Sequence, residues 1–247
     1  MQMSDVKVNE GLLVIDKSPG PTSFDVVREV RRIAGGEKVG HSGSLDPFAS
    51  GVLVLMLGRA TRLSQVLTET DKVYRARVLL GTATDTMDLT GQVTGTEPVP
   101  SLCSQDIERV LRGLEGTWEQ VPPVYSAKKV NGVRLYKLAR QDIRIKLAPI
   151  PVKLHQLKLL AFESPFIDLQ VHCSKGTYVR SLAGEIGQRL GTVAHLYELR
   201  RLACGPFSID ESVTLADLKN NAPDCLKKGY GNYLRYLRGQ GRALELQ

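Results

Sequence analysis

Apolar and polar residues alternate over residues 74–80, so Tyr74, Ala76, Val78 and Leu80 share one face while Arg75 and Arg77 take the other. This pattern predicts a strand with a half-polar exterior. Residues 11–15 predict an opening strand, which Asp16-Lys17-Ser18-Pro19-Gly20-Pro21 breaks. The period then lengthens. Phe24, Val27, Val30 and Ile33 form a helical stripe, Thr22 and Asp25 stand at capping-box positions, and Gly35-Gly36 end the helix. A Gly-rich stretch over residues 40–51 leads into an unbroken apolar run, residues 52–57. Ile107, Val110, Leu111 and Leu114 predict a short amphipathic helix. Val179, Leu182, Ala183, Ile186 and Leu190 predict another, with Gly191 suited to its C-cap. Residues 152–162 and 167–173 read as strands. The last thirty or so residues, rich in Lys, Tyr and Gly, read as irregular.

Strands and helices come in mixed order, without regular βαβ alternation. The expected fold class is α+β, a mixed, mainly antiparallel sheet flanked by helices and loops. The chain has 247 residues, 42% hydrophobic and 24% charged, ordinary for a globular protein.

No apolar run approaches the roughly 20 residues of a membrane-spanning helix, and the first residues do not read as a secretory leader. Cys103, Cys173, Cys204 and Cys225 lie far apart, which argues against a zinc site and a disulfide framework and fits reduced thiols in the cytoplasm. The formal net charge is +7. Most of that excess falls in residues 128–146, where Lys128, Lys129, Arg134, Lys137, Arg140, Arg144 and Lys146 face Asp142 alone. Such a stripe suits a polyanion, most often nucleic acid; a solvated basic face has the same composition. No basic amphipathic helix suggests a membrane surface.

Walker, dinucleotide, His-Glu-x-x-His and nucleophile-elbow signatures are absent, and the acidic loop over residues 85–91 lacks calcium-loop spacing. What remains is Gly40-His41-Ser42-Gly43-Ser44-Leu45-Asp46-Pro47-Phe48-Ala49-Ser50-Gly51. One carboxylate sits among small residues, and Pro47 restricts Asp46 to extended backbone. A rigid, lightly covered carboxylate suits acid–base or nucleophilic work; an Asp-Pro turn has the same spacing. Arg180 falls in the first turn of its predicted helix, where a cation opposes the helix dipole. That misfit suggests placement for a specific anion, or a structural ion pair.

These residues resemble the bacterial tRNA pseudouridine-55 synthase family, the TruB family. The likeness extends through Asp16 to Ser23, Asp71-Lys72-Val73-Tyr74-Arg75, Gly81 to Thr86 and Asp88 to Gly91. It continues through Val121 to Gly132, Tyr136 to Arg140, Ser174 to Arg180 and Leu199-Arg200-Arg201-Leu202. It implies a pseudouridine synthase catalytic domain over residues 1–220, with a basic thumb-like insertion at about 120–147. It also implies isomerisation of a T-loop uridine of tRNA, position 55, by base flipping. Asp46 would be the catalytic carboxylate, Tyr74 would lie against the flipped base, and Arg180 would pair with Asp46. His41 would fill the gap left by the base, Tyr178 and Leu199 would line the uracil pocket, and Lys17 would support its mouth. Lys128, Lys129 and Arg140 would contact phosphates. No cofactor, metal, guide RNA or obligatory protein partner is implied, and a monomer is expected. His155, His172 and His195 read as structural. Ser42 and Ser44 stand where the family commonly has Thr and a small residue. The family normally continues into a PUA module, of which residues 237–242 resemble only the start, so residues 221–247 read as a tail. A tRNA-folding chaperone, or an RNA-binding module without catalysis, would use the same surface.

Overall fold

The structure, a computed structural model, describes residues 10–125, 129–130, 133–134 and 147–240, with 129–130 and 133–134 by their backbone alone. In chain order the elements are β1 (Gly11–Lys17), α1 (Ser23–Ile33), β2 (Val39–His41), β3 (Ser50–Leu57), α2 (Ser64–Thr68), β4 (Lys72–Leu80), β5 (Thr82–Thr84) and β6 (Val93–Thr96). Next come α3 (Ser104–Arg112), β7 (Gly116–Gln120), β8 (Lys129–Val130), β9 (Val133–Arg134), β10 (Ile150–Glu163) and β11 (Phe166–Cys173). The chain ends through α4 (Val179–Arg189), β12 (Ala194–Cys204), β13 (Phe207–Ser208), β14 (Val213–Thr214), α5 (Leu215–Asn220) and α6 (Ala222–Gly239). The class is α+β, as the patterning predicts. Two compact units divide the described chain. One holds residues up to Thr70 and from Arg200 onward, the other Asp71 to Leu199.

In the first unit β1 and β3 pair antiparallel from Gly11 opposite Leu57 to Lys17 opposite Gly51. Leu12, Val14, Val52, Val54 and Met56 point into one core with Phe207 and Tyr236. Leu13, Ile15, Leu53, Leu55 and Leu57 point into another with Val26, Val27, Val30, Leu218 and Cys225. Both faces of these strands are covered, which is why residues 52–57 form a run and not an alternation. β14 joins β1 in parallel, and the Arg200–Arg201 stretch of β12 joins β3 in parallel.

The capping box at Thr22 forms: its Oγ1 accepts from the Asp25 N–H at 3.1 Å, and Asp25 Oδ2 accepts from the Thr22 N–H at 3.0 Å. Phe24, however, is 68% exposed. The buried stripe of α1 is Ser23, Val26, Val27 and Val30, so Val26 holds the inward place assigned to Phe24. The chain end departs further from expectation, because residues 222–239 form a helix. Glycine lowers helix propensity, but packing supplies what propensity withholds. Asn232 donates to the Leu12 carbonyl at 3.2 Å, and a Cβ on Gly11 would come within 3.0 Å of the Gly229 backbone.

In the second unit the strand order is β12–β4–β11–β10–β7. The β4–β11, β11–β10 and β10–β7 pairs are antiparallel. Tyr74, Ala76, Val78 and Leu80 are buried as predicted, with Val171, Leu169 and Ile167 beside them on β11. α3 lies along β10 and α4 against β4. β8 and β9 form a separate antiparallel pair.

Candidate catalytic loop and pocket residues

The loop carrying Asp46 is held from beneath, within the first unit. Lys17 ends β1 and is fully buried. Its ammonium donates to the carbonyls of Ser18 and Pro21, both at 2.9 Å, and of Pro47 at 3.2 Å. The Pro47 carbonyl also accepts from the Gly20 N–H at 2.8 Å. On the other side of Asp46, Ser23 Oγ accepts from the Leu45 N–H at 2.8 Å and donates to the Leu45 carbonyl at 3.2 Å. The residues before and after Asp46 are therefore both tied down, while Asp46 itself is half-buried.

Arg201 completes the support. It is 1% exposed, and its Nε donates to the Val52 carbonyl at 2.6 Å. Its Nη2 and Nη1 reach the carbonyls of Gly43 at 3.2 Å and Ser44 at 3.4 Å. Gly51 lies opposite Arg201 in the β3–β12 pairing with φ +101°, and any side chain there would run into the Arg201 main chain. Only glycine meets both demands. The neighbouring Arg200 makes two bonds to Asp16, at 2.7 and 3.1 Å.

Charges follow from this packing. Burial lowers the Lys17 pKa from 10.5 to about 8, against the pull of the nearby Asp46 carboxylate, while Arg201 lowers it further. His41 caps the loop by accepting the Gly43 N–H on Nδ1 at 3.2 Å. Burial, then Arg201, pushes the His41 pKa below its ordinary value. The ring stays neutral at pH 7, as an acceptor must.

The second unit holds the other expected residues. Tyr74 is buried on β4, and Leu199 is buried where β12 leaves this unit. Tyr178 is the N-cap of α4 and half-buried. Its N–H donates to Gln120 Oε1 at 2.9 Å, and Gln120 Nε2 donates to the Gly176 carbonyl at 2.6 Å. One buried amide thus fixes the turn that delivers α4.

Arg180 is 4% exposed, so the cation in the first turn of α4 is buried and not solvated. Its Nη1 donates to the Thr86 carbonyl at 3.0 Å and its Nη2 to the Tyr125 carbonyl at 2.9 Å. Asp88 Oδ2 lies 3.6 Å from Nη1. Asp88 Oδ1 accepts from Thr86 Oγ1, Thr90 Oγ1 and the Thr90 N–H at 2.7, 2.6 and 3.0 Å. Between these partners Met87 takes φ +61°, the one non-glycine residue in the left-handed region among the described residues. Lys128 and Arg140 lie outside the described residues, and Lys129 is described only by its backbone in β8.

Two family models together match most of the chain. Residues 31–179 match the TruB family pseudouridylate synthase N terminal domain, and residues 180–237 match the tRNA pseudouridylate synthase B C-terminal domain. The chain belongs to the TruB family. Among curated TruB relatives, the tRNA pseudouridine synthase B of Syntrophotalea carbinolica is 48% identical over 214 residues, 87% of this chain and 70% of that protein. The protein of the same name from Solibacter usitatus is 46% identical over 215 residues, 87% of this chain and 73% of the relative. A crystal structure of a Cbf5-Nop10-Gar1 complex is similar with a TM-score of 0.72 and 30% identity, over 90% of this chain and 60% of that one. The two TruB models meet between Val179 and Arg180, whereas the compact units divide at Thr70/Asp71 and Leu199/Arg200. The C-terminal model reaches residue 237 and so takes in most of α6.

Lys17, Ser23 and Arg201 hold the loop of this TruB chain, and sequence reasoning missed Ser23 and Arg201 as its supports. One signal could have found Arg201. It lies two residues from Leu199 on a strand, at an inward position where an arginine must find acceptors. Asp88 and Gln120 carried no comparable signal.

Proposed function

We propose that this chain converts uridine 55 in the T-loop of tRNA to pseudouridine, with Asp46 as the catalytic carboxylate. The observation that carries the reading is the anchoring of Leu45 and Pro47 on both sides of Asp46, in a chain of the TruB family. The bond from the sugar C1′ to N1 breaks, the uracil turns, and C1′ joins C5. The C5 proton leaves, and N1 gains one. Atoms and electrons balance within the one nucleotide, so the reaction needs no electron carrier. A preorganised carboxylate assists at the sugar as nucleophile or through charge and proton transfer.

The target base is stacked in a folded loop, and extruding it costs a few kcal/mol. The family likeness gives Tyr74 the stacking role, which returns about 1–3 kcal/mol. It gives Arg180 the role of cation to Asp46, His41 the space left by the base, Tyr178 and Leu199 the uracil pocket, and Lys17 the pocket mouth. The basic insertion with Lys128, Lys129 and Arg140 supplies phosphate contacts.

The enzyme acts alone, as a cytoplasmic monomer without guide RNA. Support comes from relatives at 46–48% identity named tRNA pseudouridine synthase B, against 30% for the protein of the Cbf5 complex. No helix among the described residues is long and apolar enough to cross a membrane.

Single-turnover pseudouridine formation on an unmodified tRNA transcript, with binding measured alongside, tests the assignment. Wild type forms product at the T-loop uridine, and Asp46→Ala binds without forming it. Product from Asp46→Ala at the wild-type rate overturns the role of Asp46. Binding without product from wild type overturns the enzyme and favours a folding chaperone.

A further inference from the structure

Three side chains gather on the second unit's sheet, on the face away from Tyr74. Tyr74 pairs with Val171, and the next pair, Val73 with His172, projects to the opposite face. Asp71 lies two residues before Val73 and shares that face. His155 comes from β10, where the register slips between Leu154 and Gln156. That bulge leaves His155 as the extra residue and turns its ring toward His172. Two adjacent strands, β10 and β11, and the residue that leads into β4 thus bring one ligand each to one point, from residues far apart in sequence.

His155 Nε2 lies 3.2 Å from Asp71 Oδ2, and His172 Nε2 lies 4.0 Å from the same oxygen. The imidazole centroids are 4.7 Å apart at 40°. One ligand atom from each residue falls within 4.8 Å of the others. His155 Nε2 is buried and makes no hydrogen bond among the described residues: the carboxylate is near but out of line. A buried ring nitrogen without a partner is costly and rare. A metal ion would satisfy it. Ligand atoms about 2.0–2.1 Å from a tetrahedral zinc lie roughly 3.3 Å apart, so modest turns of the two rings close the set. The side chains of Asp71 and His172 stay 49% and 39% exposed, which leaves an entry path and room for water at a fourth position.

We propose that Asp71, His155 and His172 form a divalent transition-metal site, suited to zinc. Two imidazoles and one carboxylate are borderline ligands, which favours such ions over calcium or magnesium. Bound metal would clip β4, β10 and β11 together behind the strand that carries Tyr74. The site is separate from the isomerase chemistry and requires nothing of it.

The test uses the full chain, stripped of metal, with Cys103→Ser removing the exposed thiol. Calorimetric titration with Zn²⁺ gives one equivalent bound at micromolar Kd or tighter, and the melting temperature rises with zinc. Asp71→Asn and the pair His155→Ala/His172→Ala each weaken binding at least tenfold. X-ray absorption on zinc-loaded chain with wild-type ligands reads two imidazoles, independent of whether any variant folds. No binding at 100 µM Zn²⁺ overturns the site, as does affinity unchanged in the variants. Fewer than two imidazoles in the absorption spectrum also overturns it.

Discussion

The ammonium of Lys17 donates to the carbonyl of Pro47, the residue that follows Asp46. A buried cation at the end of one strand thereby fixes the backbone beside the carboxylate. The same ammonium spends its other two protons on Ser18 and Pro21.

This arrangement has a pH signature. Burial lowers the folded-state pKa of Lys17 to about 8 from 10.5. The unfolded chain then binds more protons at this position between pH 8 and 10.5, so the contribution of Lys17 to stability rises with pH across that window. Below pH 8 the burial penalty is fully present and constant. Relative to Lys17→Met, wild type gains up to about 3 kcal/mol from pH 8 to 10.5. Urea unfolding of both proteins at several pH values measures the difference, and parallel curves would contradict it.

Gly51 and Gly40 offer a matched pair. Gly51→Ala forces a side chain onto the Arg201 backbone at φ +101° and costs several kcal/mol. Among the described residues, Gly40→Ala meets only Met56 Cε at 3.7 Å and Thr61 Cγ2 at 3.9 Å and costs about 1 kcal/mol or less. Thermal melts separate the two; equal losses would remove the close-approach argument.

Ser23→Ala removes both hydrogen bonds to Leu45. The expected stability loss is about 1–3 kcal/mol. Pseudouridine formation slows in single turnover while tRNA affinity holds, because the loop is less well oriented and the RNA-facing groups are untouched. A change in affinity alone would count against loop positioning.

Asp88→Asn keeps the shape of the Thr86 and Thr90 contacts and removes one carboxylate charge beside Arg180. Leaving a buried guanidinium with less compensation costs about 3 kcal/mol or more. Denaturant titration reads it, and a loss under about 0.5 kcal/mol would show the pair to be unimportant.

Replacing Lys128, Lys129 and Arg140 by Ala lowers tRNA affinity and flattens its salt dependence. Removing one phosphate-neutralising side chain reduces the log–log slope by about 0.7–0.9. An unchanged slope would remove these residues from the RNA surface.

Residue period and local chemistry determined much of this protein. The alternation at residues 74–80, the Thr22 capping box, the stripe of α4 and the glycine-framed Asp46 depend on residues close in sequence, and all are legible there. The tertiary structure decided what depends on distant partners. Val26 faces the core in place of Phe24 because α1 meets Leu53 and Leu55 at that angle. Residues 222–239 become helix because Asn232 and Tyr236 find β1 and its core, against the propensity of their glycines. Lys17 and Arg201 are buried cations that each reach carbonyls distant in sequence, Pro47 for Lys17 and Gly43 and Ser44 for Arg201, all on the Asp46 loop. Main-chain carbonyls are alike in every residue, so no sequence pattern marks which ones a distant cation will meet. The same holds for Asp71, His155 and His172, which only strand register and one bulge bring together.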